Sequence, residues 1–333
     1  MRIGSIARLV AVAVAIGFAN PGFAAPIKLR FAAAGPAETN PLFKEVIEKW
    51  AKRVSDASGG ELVIEPVGGM TLANPRNVWE RVHTGIADIG FGIQGAVGRP
   101  FPKTYVVGLP FLVDDIVKGS VGLWKLYESG LIADEYKGVK VLALFTPPPS
   151  GLHSKEPIKT LADMNGRKVR VADKVSAEAV TALGGSPISI PTPDLYQALN
   201  SGVVSTVLVG WTAVGTFKLY EVTTEHLDVN LGCPPGFVIM NEKAYAKLPP
   251  KAKAAIDANS GAVYSKLIGE FFVKNGQEEE AKVRALPGHT IRSLSADELA
   301  KWKTKVAPVT AAWAKSVPKG AEILKTLERA MTN

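Results

Sequence analysis

The sequence predicts an α/β protein of two lobes joined by crossing segments, with one long helix running across both. Three observations carry this. Strand-like and helix-like segments alternate from Ile27 to Ile89, the order that builds parallel sheet. The same grammar returns between Leu161 and Val204. From Pro250 to about Leu286 no interior proline interrupts apolar residues at helical spacing (Ala255, Ile256, Ala262, Val263, Leu267, Phe271, Phe272). Over thirty residues at ~1.5 Å each reach roughly 50 Å, longer than one lobe needs.

In chain order, Arg2 and Arg8 flank the start of a mostly apolar run, Leu9–Ala19. That run is shorter than the ~18–20 residues that span a bilayer, and Gly22 and Ala24 supply a small-residue cleavage site. Residues 1–24 read as a signal peptide cleaved near Ala24, which places the mature chain in a bacterial periplasm. Ile27–Phe31 alternates as a first strand. Leu42, Val46, Trp50 and Val54 mark a helix over Pro41–Ser55, ended by Gly59-Gly60, and Leu62–Pro66 is a second strand. Asn77–Thr84 is a short helix closed by Gly85, and Ile86–Ile89 is a third strand.

Aligning Gly85 with Gly202 pairs Val78-Trp79 with Leu195-Tyr196, Val82 with Leu199 and Ile86 with Val203. Such a match arises by chance between any two βα units, or marks two related lobes. Thr146–Gly151 and Gly232–Gly236 are stiff, proline-bearing passages expected to cross between lobes. Pro287-Gly288 stops the long helix, and Ser295-Ala-Asp-Glu298 opens another through Trp302 as a capping box. The first lobe is then expected to hold residues 25–147 plus about 235–275, and the second 148–234 plus about 276–333.

The formal charge is +8, and loss of Arg2 and Arg8 with the leader leaves +6. No basic block among these scattered charges suits phosphate tracking, so nucleic acid is not an expected partner. The single cysteine, Cys233, excludes an intrachain disulfide, and stability must rest on apolar burial.

Enzyme-like motifs fail on context. Gly90-Phe-Gly92-Ile-Gln-Gly95 matches the dinucleotide fingerprint, with Asp114 and Asp115 about twenty residues on. The fingerprint needs a helix facing the pyrophosphate, and Arg99-Pro-Phe-Pro102 is poor material for one. Ser316-Val-Pro-Lys319 matches Ser-x-x-Lys but lacks the partner motifs of penicillin-interactive enzymes. His83, His153, His226 and His289 show no metal-ligand spacing, and nothing near Cys233 would activate it. No catalytic residue, metal or cofactor is expected.

In Lys168-Val-Arg170-Val the charges share one side of a strand and the valines the other. This reads either as a solvated strand face, or as a strand end presenting a guanidinium where open α/β sheets place ligands. A guanidinium there holds a carboxylate by two parallel charge-assisted hydrogen bonds, a geometry lysine cannot copy.

The stretch Asp163-Met-Asn-Gly-Arg-Lys-Val-Arg170 resembles the Asp-Leu-x-Gly-x-Lys-x-Arg signature of the TRAP-transporter solute-binding proteins, the DctP family. The similarity extends through Gly85–Ile89, Phe101-Pro102, Leu109–Phe111, Lys218–Val222 and Met240–Pro249, essentially the whole mature chain. It implies a two-lobed periplasmic-binding-protein fold that traps a small organic anion by hinge closure. It also implies delivery by a monomeric receptor to the small and large integral membrane subunits of a cation-coupled transporter.

In that family the arginine of Lys-x-Arg binds the ligand carboxylate, and it maps onto Arg170. Two departures matter. His153 stands in a segment where many members carry arginine, as either a pocket donor or an ordinary surface imidazole. Ser205 replaces the aspartate of Gly-Val-Val-Asp-Gly, with Val209-Gly-Trp211 where polar pocket residues are usual. Hydroxyl-rich ligands are disfavoured by this. Gln94, after the third strand, and Trp211 and Phe237, near the second crossing, complete the expected pocket, the aromatics being either walls or core. Such a pocket favours a monocarboxylate with an apolar or aromatic body. Arg170→Lys is expected to weaken binding and to leave the unliganded protein's stability unchanged. The alternatives are a binding protein serving a sensor kinase, and a periplasmic oxidoreductase using the Gly90–Gly95 loop.

Overall fold

The computed structural model describes residues 25–33, 37–38, 40–97 and 99–332; the leader and its cleavage point lie outside them. The strands are β1 (Ile27–Ala32), β2 (Leu62–Val67), β3 (Ile89–Ile93), β4 (Val139–Phe145), β5 (Gly151–Ser154), β6 (Lys168–Val171), β7 (Ser186–Ser189), β8 (Thr206–Val209), β9 (Glu225–Leu227), β10 (Gly236–Asn241) and β11 (Thr290–Arg292). The helices are α1 (Lys49–Ala57), α2 (Val78–His83), α3 (Ile116–Glu128), α4 (Lys174–Ala182), α5 (Leu195–Asn200), α6 (Trp211–Thr216), α7 (Glu242–Ala246), α8 (Pro250–Ala258), α9 (Ala262–Arg284), α10 (Ala296–Ser316) and α11 (Gly320–Thr332).

The strands form two sheets, ordered β2-β1-β3-β10-β4 and β11-β9-β5-β8-β6-β7. In each, three parallel strands meet an antiparallel one delivered by a crossing segment: β10 beside β3 in the first, β5 beside β8 in the second. Reading β7-β6-β8-β5-β9 against β2-β1-β3-β10-β4 gives the same order and the same directions. The two short helices match as well. Gly85 follows α2 at φ 80° and Gly202 follows α5 at φ 73°, left-handed turns that glycine takes without a Cβ clash. The next strand starts at Ile89 in one case and Thr206 in the other, the same spacing from the glycine. The two halves are related lobes.

Three sequence expectations change. The third strand begins at Ile89 rather than ending there: Ala87 N–H donates to Arg81 O and Asp88 N–H to Arg30 O, a turn that leaves Ile86 exposed. The long helix is broken into α8 and α9 by Asn259-Ser-Gly261, where Gly261 adopts φ 76° and abuts the Trp124 ring. Apolar periodicity alone did not register that break. The 23 residues of α9, about 35 Å long, still run from α3 and β4 of the first lobe to α6 of the second. Finally, the C-terminal segment divides: Trp302 and Val306 join the second lobe's core, while Val309, Trp313, Ile323 and Leu327 pack into the first. The apolar stripe of α10 thus changes lobes midway, so residues 276–333 do not all belong to the second.

The capping box at α10 is half made. Ser295 accepts from Glu298 N–H, but the Glu298 carboxylate accepts from Leu161 N–H at 2.8 Å, fastening α10 to the second lobe. That lobe has a core on each face of its sheet, one under α4 and α10 and the other under α5 and α6. Thr146–Ser150 connects β4 to β5 across the lobes, and Gly232–Pro235 leads into β10. Both pass close to backbone that leaves no room for a side chain: a Cβ on Gly232 would lie 2.0 Å from Gly108 O, and one on Gly210 2.8 Å from Pro148 O.

Candidate functional site

Register places Arg170 opposite Val207, Val207 opposite His153, and His153 opposite His226. Side chains alternate faces along a strand, so this row shares one face of the second sheet. Arg170 is 2% exposed, and the solvated-strand reading is therefore excluded. Its Nε donates to Ile190 O at 2.7 Å and its Nη2 to Thr192 Oγ1 at 2.9 Å. These two acceptors occupy the guanidinium edge shared by Nε and Nη2. The outer edge, Nη1 with the second Nη2 proton, makes no hydrogen bond among the described residues, and that edge can take both oxygens of a carboxylate.

Arg170 also makes no ion pair among the described residues. Burial pulls its pKa down to about 10; Asp173 and Tyr105 pull the other way, and it stays charged at neutral pH. The Asp173 carboxylate is committed to capping α4, accepting from Ser176 N–H at 2.9 Å. A buried cation without a bonded counter-ion is costly, and an anion placed on the free edge relieves that cost.

The first lobe meets the second near this guanidinium. A Cβ on Gly95 would lie 2.9 Å from the Tyr105 hydroxyl and 3.3 Å from Ala172 Cβ, so Gly95 packs against the strand end that carries Arg170. Val175 of α4 packs into the first lobe's core. Arg76 and Asp194 form an exposed ion pair at 2.8 Å between α2's approach and α5's. These contacts belong to a closed arrangement of the lobes.

Gln94 is 1% exposed, in the single 3₁₀ turn after β3. Its Nε2 donates to the Tyr136 hydroxyl, and its Oε1 is buried without a partner. The direction follows from Glu135, whose carboxylate accepts from Lys103 N–H, Thr104 N–H and Thr104 Oγ1. Thr104, having spent its proton, accepts from Tyr136, which in turn accepts from Gln94. Thr212 Oγ1, at the start of α6, is another of the seven buried side-chain polar atoms without a partner among the described residues.

His153 is not a free pocket donor. Its Nε2 lies 3.1 Å from Val209 O and its Nδ1 2.9 Å from His226 Nδ1; His226 Nε2 lies 3.1 Å from His289 Nδ1. A carbonyl only accepts, so His153 carries its proton on Nε2. His226 must then donate from Nδ1, and His289 from Nδ1, which fixes all three neutral tautomers in one directed chain. Burial depresses His153 to about 4, burial with the neighbouring histidines depresses His226, and burial alone depresses His289. Trp211 packs edge-on against His153 and at a tilt against His226, at 4.9 and 5.3 Å between ring centres. Phe237 is wholly buried against Trp79, Phe101 and Gly92 in the first core. Both aromatics pack in cores that support the site.

The Gly90–Gly95 loop has a packing explanation. A Cβ on Gly90 would lie 2.7 Å from both Val78 and Val82, and one on Gly92 2.6 Å from Phe237. Only one 3₁₀ turn follows, and Asp115 caps α3. Cys233 is buried, with its thiol pKa pushed up by burial, so it is not activated.

Comparison with known proteins settles the family. The model for bacterial extracellular solute-binding protein family 7, DctP, matches residues 32–316. The chain belongs to this family. A TRAP solute-binding protein from a marine metagenome, solved with 3-hydroxybenzoate, is 29% identical, with TM-score 0.86 over 93% of this chain and 99% of that one. The TRAP solute-binding protein of Rhodoferax ferrireducens, solved with copurified benzoate, is 27% identical, with TM-score 0.85 over 92% and 98%. An outer membrane transporter protein of Comamonas testosteroni is 26% identical over 286 residues, 84% of this chain and 83% of the relative.

Within this DctP chain, sequence reasoning missed Tyr105, Thr192 and Thr212. Pro191-Thr-Pro193 marked the loop that holds Thr192, but nothing in the sequence tied it to Arg170. Tyr105 is far from Arg170 in sequence and belongs to the other lobe, its hydroxyl lying beside Gly95 where that glycine meets Ala172.

Proposed function

We propose that this family 7 protein is the exported, monomeric receptor of a TRAP-type transporter and captures a monocarboxylate with an aromatic or otherwise apolar body. The observation that carries the reading is the buried Arg170, held flat by Ile190 O and Thr192 with its outer edge unused. The aromatic-acid ligands of the two similar solved proteins support the choice of ligand class. Arg170 anchors the carboxylate, and contacts across the cleft, including those around Gly95 and Ala172, favour the closed form once the ligand fills it. Micromolar affinity takes about 8 kcal/mol, and a charge-assisted contact supplies roughly 1.5–3 kcal/mol, so desolvated apolar walls must supply much of the remainder. Membrane subunits then take the solute from the closed receptor, and the chain itself carries out no reaction.

A thermal-shift screen of organic acids tests this. Benzoate and its hydroxylated relatives at a hundred times Kd should add about 2.7 kcal/mol of stability, while sugars and nicotinamide dinucleotides should add none. A screen in which no carboxylate raises Tm refutes the reading.

A further inference from the structure

The Tyr105 hydroxyl is buried and has no hydrogen-bond partner. It belongs to the first lobe, in the 3₁₀ segment Thr104–Gly108, yet it lies against Gly95 at the junction with Ala172 of the second lobe. It is close enough to Arg170 and Asp173 for their charges to act on it. A phenol that is buried and unpaired forfeits the bonds it had in water, so an unfilled partner is implied. The partner has to be an acceptor reachable from beside a guanidinium whose own free edge can take a carboxylate.

We propose that Tyr105 is the first-lobe ligand-binding residue: its hydroxyl donates a hydrogen bond to the carboxylate that Arg170 holds from the second lobe. This rests on the proposed carboxylate reading and adds the donor that senses closure. The two groups divide the work. Arg170 binds the anion in the open or closed form, because everything that orients it (Ile190, Thr192) lies in its own lobe. Tyr105 reaches the same anion only when the lobes close, so its bond forms in the closed state alone and shifts the equilibrium toward it. Burial, aided by Asp173, pushes the phenol's pKa well above its usual value despite Arg170, so the hydroxyl keeps its proton and remains a donor at neutral pH. Asp173 does not take that proton: among the described residues no acceptor, its carboxylate included, lies within hydrogen-bond distance of the Tyr105 hydroxyl, and the carboxylate instead caps α4 through Ser176 N–H.

Calorimetry with benzoate on the full mature chain, its Tyr105→Phe and Arg170→Lys variants and the double variant provides the test. Tyr105→Phe should weaken benzoate five- to twenty-fold, mainly by faster release. Its unliganded Tm should be equal to or above the parent's, because only an unpaired hydroxyl is removed. With lysine at 170 the further loss from Tyr105→Phe should shrink to less than three-fold, since the anion is no longer held against the phenol. Small-angle scattering at saturating benzoate should show less compaction for Tyr105→Phe than for the parent. Parent and Tyr105→Phe proteins that bind benzoate equally overturn this inference and leave the carboxylate reading intact. A parent that binds neither benzoate nor any other organic acid overturns both.

Discussion

Replacing Arg170 by lysine separates two consequences of one buried guanidinium. The free edge of the arginine offers two parallel N–H groups to a carboxylate, and an ammonium at the end of a lysine offers a single point of contact. Loss of one charge-assisted hydrogen bond is worth about 1.5–3 kcal/mol, which is roughly a 10- to 150-fold rise in Kd. The same change removes the donors to Ile190 O and Thr192 Oγ1, at 2.7 and 2.9 Å. Those acceptors are half-buried and regain some hydration, so the unliganded fold should lose about 1–2 kcal/mol, a fall in Tm on the order of 2–6 °C. The sequence alone pointed to unchanged stability; burial and the two internal bonds reverse that expectation. Calorimetry with benzoate reads the first effect and differential scanning calorimetry of unliganded protein the second. Equal affinity in the variant refutes the carboxylate anchor, whatever happens to Tm.

Three further outcomes follow from the same geometry. Because burial lowers the pKa values of His153 and His226 below the unfolded value of 6.5, the unfolded chain binds more protons in acid. Stability should fall as pH drops from about 6.5 toward 4, by about 1.4 kcal/mol per pH unit for each histidine. Urea titrations of the parent and His153→Gln, which keeps a donor for Val209 O and an acceptor for His226, should show a shallower acid loss in the variant; identical slopes would contradict the assignment. Gly92→Ala pushes a methyl to 2.6 Å from Phe237 and 2.9 Å from Val78, and should destabilise the fold by about 1–3 kcal/mol in the same titration. Gly95→Ala places its methyl 3.3 Å from Ala172 Cβ across the lobes and 2.9 Å from the Tyr105 hydroxyl within the first lobe, so it should weaken benzoate several-fold in calorimetry while lowering unliganded Tm by no more than about 4 °C. A large Tm change with unaltered affinity would put Gly95 in a lobe core instead.

Much of the architecture was legible because it depends on local chemistry. Glycines after short helices, prolines in the crossings and apolar alternation report backbone geometry directly, and the match of α2–β3 with α5–β8 was visible as Gly85 against Gly202. What the sequence hid depends on contacts distant along the chain. The break at Gly261 leaves helical periodicity intact on both sides. The apolar stripe of α10 continues smoothly although it serves two lobes. At the site, Arg170 carried a strand signal and a family motif. His153 has the residue type of a donor, but whether its nitrogens are free was decided by His226 and Val209, far along the chain. Tyr105 and Thr192 carried no motif; Thr192 reaches Arg170 through the β7–α5 turn, and Tyr105 comes to the junction beside Ala172 from the other lobe.

The most direct test of the central claim is a crystal structure of the mature chain with benzoate. The account predicts both carboxylate oxygens within hydrogen-bond distance of Nη1 and Nη2 of Arg170, with the ring between the lobes. Benzoate lodged elsewhere, or bound between the lobes without touching that guanidinium, would contradict it.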